Sequence, residues 1–508
     1  MNQEAVVKNE SAWKKIHRIF LSKGVLSRRN ANNVLAMGII AFGYTFFEEI
    51  VTSYLQFFYT EFVLLPAATV SVVLSIGMVV DGVTDLFMGA IIDRFEFKKG
   101  RIRPWFLWMA IPTGISTIAC FLCRTDWPTT TKIVYLFFIY NIYCTCMTTL
   151  RMPKTTMISL CFNEPESRQM ANVVSGILSQ ISQLLITAGL PLLLATLGAN
   201  AAAYTNSAII LSVGGIILTA ITYLLTREVV GSKAAVENVR STEGDAAAEE
   251  TLRILKHEES VHAAEKKKMR SRSLLKDIGM LFGNKYWILV TCVGIANGCG
   301  IGFMFGVAAY FATYTLGGIA MLSAIFGTMS VGMAVGIILA APMVVKIDSR
   351  QIGVIGSFLG ALGMLIAAVG ILSMNNLIVF HAGLFIRQLG TGMLMAIMGD
   401  VTARAIDFGE WKFGIRLDGL SFSGSSVMQK IMSALASAIL GFVLTASGYA
   451  GGLSDIPATA HAAINTMFLW IPCIALVASG VFFLMIDLSN DRIRKIRDEI
   501  SERAKVNK

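Results

Sequence analysis

Twelve long apolar runs constrain this chain more than any other feature. A bilayer hydrocarbon core of about 30 Å takes about 20 apolar residues per helix. Runs of that kind fall at roughly 34–62, 68–93, 104–123, 132–160, 169–198, 204–226, 286–314, 318–345, 351–373, 376–403, 418–446 and 463–487. In lipid every backbone polar group must be satisfied within the protein, so such runs read as helices. Only 15% of the 508 residues are charged and 55% are hydrophobic, against about a quarter charged in soluble domains. Mean hydropathy is +0.65. The expected fold class is an all-α integral membrane protein with 12 transmembrane helices in two six-helix halves.

The net charge of +10 does not point to nucleic acid, because the basic residues alternate along the chain. They gather in the N-terminal tail (Lys14, Lys15, Arg18, Lys23, Arg28, Arg29), the turn Arg94 to Arg103, the region Arg227 to Lys285 and the tail from Arg492. Met374 to Leu377 and Ser447 to His461 carry none. This is a positive-inside pattern. It predicts a multi-pass protein of the cell inner (plasma) membrane with both termini cytoplasmic. The first 30 residues lack the apolar core of a cleavable signal peptide. Organisation follows as an N-terminal tail (1–33), a six-helix half (34–226), a polar cytoplasmic linker (227–285), a second half (286–487) and a C-terminal tail (488–508). Glycines at 356, 360 and 363 suit close helix packing, and the density in the seventh run (Gly294, Gly298, Gly300, Gly302, Gly306) is equally notable.

No metal site, cofactor or enzyme chemistry is expected. Cys120 and Cys123 form a C-x-x-C pair with no second pair or histidine cluster to complete it, and they read as small buried hydrophobes. The five histidines are scattered, and no nucleophile–base spacing or phosphate loop occurs.

Charges inside apolar runs are the functional signal, since each costs several kcal/mol unless paired or used. Asp81 lies 12 residues before Asp93, about 18 Å along a helix and close to mid-bilayer. Asp85 is one turn further on the same face. Glu48 and Glu49 in the first run, Arg151 and Lys154 in the fourth, Arg387 in the tenth and Lys430 in the eleventh lie at similar depth. Acids in helices one and two face bases in helices four, ten and eleven, an arrangement that fits opposed sets around one cavity. Glu48 and Glu49 are about 100° apart on a helix, so they cannot both face it equally. Two acids one turn apart suit a shared proton or a small hard cation, and linkage of that ion to helix arrangement is what a symporter requires. Gly89, Asp93, Arg94, Arg101 and Arg103 supply a gate or membrane-anchoring turn beneath.

The run Asp81-x-x-x-Asp85-x-x-x-Gly89-x-x-x-Asp93-Arg94…Gly100-Arg101-x-Arg103-Pro104 resembles the glycoside–pentoside–hexuronide:cation symporter family, of the major facilitator superfamily. So do Asp407-Phe-Gly-Glu410-Trp-Lys412-Phe-Gly-Ile-Arg416, Lys430, Thr125-Asp126-Trp127 and Pro153. The resemblance implies cation-coupled sugar transport by alternating access, with Asp81, Asp85, Thr148 and Lys430 at the cation site. It implies gating by Asp407, Glu410, Lys412 and Arg416 between helices ten and eleven. It departs at the substrate positions: Thr45 and Thr155 stand where the family's best-known member has sugar-binding residues, and Arg151 replaces a carboxylate. Gaining a guanidinium near Asp85 disfavours a three-carboxylate sodium site, so the coupling ion is expected to be H+ rather than Na+. Arg151 is free in this reading to pair with Asp85 or to clamp an anionic substrate bidentately. With Lys154 it favours a glucuronide- or hexuronide-like sugar. Glu48, Glu49 and Arg387 complete the expected substrate set. The partners are a small-molecule sugar and the lipid bilayer, with the protein working as a monomer. The alternatives are symport of another anionic amphiphile such as a lysolipid, and a transport-inactive sugar sensor.

Overall fold

The computed structural model describes residues 28–94, 100, 102–162, 165–198, 200–228, 249, 252–253, 274–415, 417–452 and 456–506. The first group of helices is α1 (Arg28–Glu61), α2 (Ala67–Arg94), α3 (Arg103–Ala119), α4 (Thr129–Leu160), α5 (Pro165–Thr196) and α6 (Ala201–Leu225). The second is α7 (Lys285–Tyr310, extended by a π turn, Phe311–Thr315), α8 (Met321–Lys346), α9 (Ser349–Leu372), α10 (Leu377–Phe413), α11 (Asp418–Ala446) and α12 (Ala458–Met485, with a π turn at Thr466–Trp470). A final helix, α13, spans Asn490–Val506. Eleven described helices are long and apolar enough to cross a membrane. The other, α3, is 17 residues and stops short of the expected 123, because tight turns at Cys120 to Leu122 lead into the polar stretch Arg124 to Asp126. There Arg124 clasps Asp126 in two hydrogen bonds of 3.0 and 2.9 Å.

The two groups use the same neighbour scheme. In the first, α1 packs on α5 and α6, α2 on α4, and α3 on α4 and α6. Adding six to each number gives the second: α7 on α11 and α12, α8 on α10, and α9 on α10 and α12. Between the groups the pairs are α2 with α11, α5 with α8, and α1 with α7, which are also exchanged by that shift. This pseudo-twofold plan is the one on which transporter halves pack about a midplane site.

Packing is closest where side chains are absent. A Cβ on Gly390 of α10 would lie 2.2 Å from the Gly356 carbonyl oxygen of α9, and one on Gly383 would lie 2.3 Å from the Ala367 nitrogen. The obstacles are backbone atoms, which cannot swing aside.

Twelve crossings return the chain to the face it started from, called here the terminal face. On the opposite face the two groups are joined. Glu61, at the end of α1, accepts hydrogen bonds from the Tyr314 hydroxyl (2.6 Å), the Tyr449 hydroxyl and the Gly452 N–H (2.9 Å). Thr60 and Tyr310 share a 2.7 Å hydroxyl contact beside it.

On the terminal face α10 is longer than the sequence suggested. It continues through Asp407, Glu410 and Lys412 to Phe413, ending at Gly414 with φ 70°. Nothing between Val401 and Phe413 breaks a helix, and α13 packs along it. Arg497 Nε donates to Asp407 at 2.8 Å, and Trp411 Nε1 donates to Glu499 at 2.6 Å. The motif is thus a helix end with a docked helix rather than a connecting loop.

Gly390→Ala is expected to lower stability by about 1–3 kcal/mol through overpacking, read as a lower melting temperature of the purified protein in detergent. An unchanged melting temperature would contradict the backbone contact.

Candidate functional site

The α2–α11 contact builds the site. Ser75 Oγ donates to the Ala434 carbonyl at 2.7 Å, and a Cβ on Gly441 would lie only 2.1 Å from Ser71 Oγ. Antiparallel packing this tight carries Lys430 of α11 onto the two aspartates of α2. Its ammonium donates to Asp81 Oδ2 at 3.0 Å and to Asp85 Oδ2. From α4, Arg151 Nη1 lies 3.5 Å from Asp81 Oδ2 and 3.7 Å from Asp85 Oδ2, while its Nε donates to the Tyr44 hydroxyl at 3.0 Å. Thr148, fully buried, donates to Asp81 Oδ1 at 2.5 Å. Two carboxylates face two cations, and each charge offsets the desolvation of the others. One polar atom is left over: Asp85 Oδ1 is buried with no hydrogen-bond partner among the described residues.

Against this cluster lies a cavity of about 330 Å³ between the two groups. The first group contributes its polar wall, Glu49, Ser53, Gln56, Tyr140, Tyr143 and Gln183. The second contributes Ile301, Gly302, Phe305 and Gly306 of α7, with Ser433, Ser437 and Leu440 of α11. Met78 and Ser433 are shared with a second space, lined also by Asp81, Gln429 and Lys430, so cavity and charge cluster adjoin. The rings of Tyr140 and Tyr143 stack on each other in this wall at 6.1 Å and 22°. The α7 glycines divide in purpose: a Cβ on Gly298 would meet nothing within 4 Å, so there the glycine borders open space instead of a packed neighbour.

The acidic pair of α1 is split as helix geometry requires. Glu49 is buried, lines the cavity and accepts from Gln183 Nε2 at 3.1 Å. Glu48 accepts from the Tyr44 hydroxyl at 3.3 Å, on the side of Arg151 and Lys154. Lys154 Nζ sits 4.3 Å over the Tyr44 ring.

Four expected substrate residues lie elsewhere or are already engaged. Thr45 is buried against α5, one helical turn from the cavity-lining Glu49, with its hydroxyl already engaged by the Phe42 carbonyl and Ser182. Thr155 is exposed and bonds the Met152 carbonyl of its own helix. Arg387 is only 2% exposed, and its described side-chain bond is to Gln388 beside it. It is enclosed by the glycine-rich α9–α10 contact, and so the single ring of opposed charges does not include it. Arg151 is held by Tyr44, Asp81 and Asp85 rather than presented as a free clamp.

Among the expected gating residues, Arg103 is tied within the first group of helices. Its Nε donates to the Tyr223 carbonyl at 2.8 Å, tying α3 to the end of α6. Its N–H and that of Ile102 donate to Glu228 Oε1 at 3.0 and 2.8 Å. Lys412 Nζ donates to the Gly283 carbonyl at 2.9 Å. Gly89, Asp93 and Arg94 lie in the last turns of α2. The side chains of Asp93 and Arg94, with Arg101, Arg416 and most of 227–285, fall outside the described residues. Sequence reasoning missed Tyr44, Gln56, Tyr140, Tyr143 and Gln183. The amides Gln56 and Gln183 inside apolar runs were the available signal.

The profile of the family described as MFS/sugar transport protein matches residues 36–257 and 250–490. The chain belongs to that family. It is a membrane transporter of the glycoside–pentoside–hexuronide:cation symporter kind, and not an enzyme. It is 24% identical to an isoprimeverose transporter of Lactiplantibacillus pentosus, over 90% of this chain and 89% of that one. It is also 24% identical to a glucuronide carrier protein homolog of Escherichia coli (strain K12), over 89% and 92%. A xylose transporter from E. coli in its inward-open conformation superposes with TM-score 0.63 at 12% identity, covering 92% of this chain and 98% of that one.

Lys430→Met leaves two buried carboxylates sharing one cation and is expected to destabilise the protein by about 3–5 kcal/mol. Adding Asp85→Asn should restore much of that loss. Denaturation of the single and double variants in detergent checks this, and additive effects would rule the pairing out.

Proposed function

We propose that this transporter is a proton-coupled symporter of a sugar or glycoside. In this reading it sits in the inner membrane with both termini cytoplasmic and works by alternating access between its two six-helix halves. The observation that carries the reading is the charge cluster of Asp81, Asp85, Arg151 and Lys430, which bridges the halves beside a midplane cavity. With two carboxylates and two cations the cluster is neutral before any ion binds. A sodium ion would add a net charge and would need several oxygen ligands, whereas a proton needs one. The orphaned Asp85 Oδ1 is the oxygen that would take it. Protonation at Asp85 weakens the hold of Lys430 across the α2–α11 contact, so proton binding and the separation of the halves are linked.

The cavity of about 330 Å³ suits a sugar or a glycoside of modest size. Hydroxyls would meet Gln56, Gln183, Ser433 and Ser437, and an apolar aglycone would meet Phe305 and Leu440. An acidic sugar agrees with the glucuronide carrier among the relatives.

Uptake of neutral and acidic glycosides into vesicles, with proton and sodium gradients imposed separately, tests the reading. Proton-driven accumulation is expected, at least tenfold reduced in Asp85→Asn and in Asp81→Asn. Uptake indifferent to both gradients and to Asp81→Asn would overturn it. Gly302→Leu, which fills the cavity from α7, is expected to abolish uptake of every sugar that wild type accepts while leaving the protein folded and membrane-inserted.

A further inference from the structure

Among the described acids around the central cavity, Glu49 is the one with no cation beside it. It is 7% exposed, and no described Lys or Arg forms an ion pair with it. Its polar partner is the neutral amide of Gln183, at 3.1 Å. Its neighbour in the chain, Glu48, is a charge of like sign.

The helices packed against α1 supply nothing to offset it. Gln183 of α5 is uncharged, and α6 holds only Tyr204 and Tyr223 as titratable groups. In α7 the only charged residue is Lys285, at its far end. In α3 it is Arg103, held on α6. From α4, Lys132 donates to the Val63 carbonyl, Arg151 is on Tyr44 and the aspartates, Lys154 is over Tyr44, and Tyr140 and Tyr143 face the cavity. The acids of α2 at this depth, Asp81 and Asp85, have their own cations, and Lys430 of α11 is one of them. Near the cavity stand four carboxylates (Glu48, Glu49, Asp81, Asp85) and three cations (Arg151, Lys154, Lys430). Placing one proton on Glu49 leaves three against three.

We propose that Glu49 is a second proton-binding site, separate from the Asp81/Asp85 centre, whose protonated carboxyl donates a hydrogen bond to a hydroxyl of the bound sugar. The assignment of a sugar to the cavity rests on the proposed function; the proton on Glu49 does not. Gln183 Nε2 occupies one carboxyl oxygen as a donor, so the other oxygen carries the proton and points it at a ligand acceptor. When the sugar leaves and water enters, the proton is released to that water and the carboxylate keeps the Gln183 bond. Sugar affinity therefore falls as Glu49 deprotonates.

Infrared spectroscopy of the full-length protein in lipid vesicles tests the protonated carboxyl without any ligand. A carboxylic-acid carbonyl band that shifts in D2O is expected in wild type and in Glu48→Gln, and its absence is expected in Glu49→Gln. Gln183→Leu, which keeps Glu49 but removes the donor that favours its carboxylate, should move the band's disappearance to higher pH. Equilibrium binding of p-nitrophenyl glucuronide and p-nitrophenyl xyloside, with no gradient, gives the second readout. Wild-type affinity should fall by about tenfold per pH unit once Glu49 deprotonates, and that of Glu49→Gln should be flat with pH over the same range. A band that persists in Glu49→Gln, no band at any pH, or an unchanged pH slope in Glu49→Gln would overturn the proposal. Loss of gradient-driven uptake with the band intact would instead count against symport and uphold the proton on Glu49.

Discussion

Four charges placed where water is scarce govern this structure. An isolated ionised side chain at mid-membrane is costly, and Asp81, Asp85, Arg151 and Lys430 are tolerable there because each lies within 4 Å of an opposite charge. The partners come from three helices in two halves. The cluster therefore holds the halves together while also recording how far apart they are. Removing one member exposes the rest to a desolvation penalty, which is why a change of protonation there has mechanical consequences.

The rest of the bundle delivers these residues to one another and leaves space beside them. Tight backbone contacts between α9 and α10, and between α2 and α11, fix helix spacing where side chains would prevent it. On the opposite face Glu61 gathers two tyrosine hydroxyls and a backbone N–H from the second half. On the terminal face α13 docks on the end of α10 through Arg497 and Asp407, so the motif around Asp407 fastens one helix to another.

Residues that meet along one helix, or whose types are costly in lipid, were legible before any coordinates. Asp81, Asp85 and Lys430 stood out because charges in apolar runs are rare, and they do lie together. Glu48 and Glu49 were expected to diverge because adjacent helix positions differ by about 100°, and they do. The errors arose where a residue's rotation on its helix mattered. Thr45 lies one turn from Glu49 with its hydroxyl already hydrogen-bonded to Phe42 and Ser182. Arg387 sits at a plausible depth but faces the α9–α10 contact, because its helix lacks the strong apolar–polar asymmetry from which rotation can be read. A helix surrounded by lipid and other helices is apolar on all sides.

The sequence by itself determined that the chain is a twelve-helix membrane transporter, since length and hydropathy dictate spans and mid-membrane charge marks function. It also determined the family, through two spaced motifs in separate halves. Only the tertiary structure decided that Arg151 is occupied by Tyr44 and the aspartates, that Glu49 lines the cavity with a neutral amide as its described partner, and that Glu61 joins the halves. Each depends on which faces of helices distant in sequence meet. That is set by backbone-to-backbone contacts at glycines and by pseudo-twofold packing, neither of which a local pattern of residues encodes.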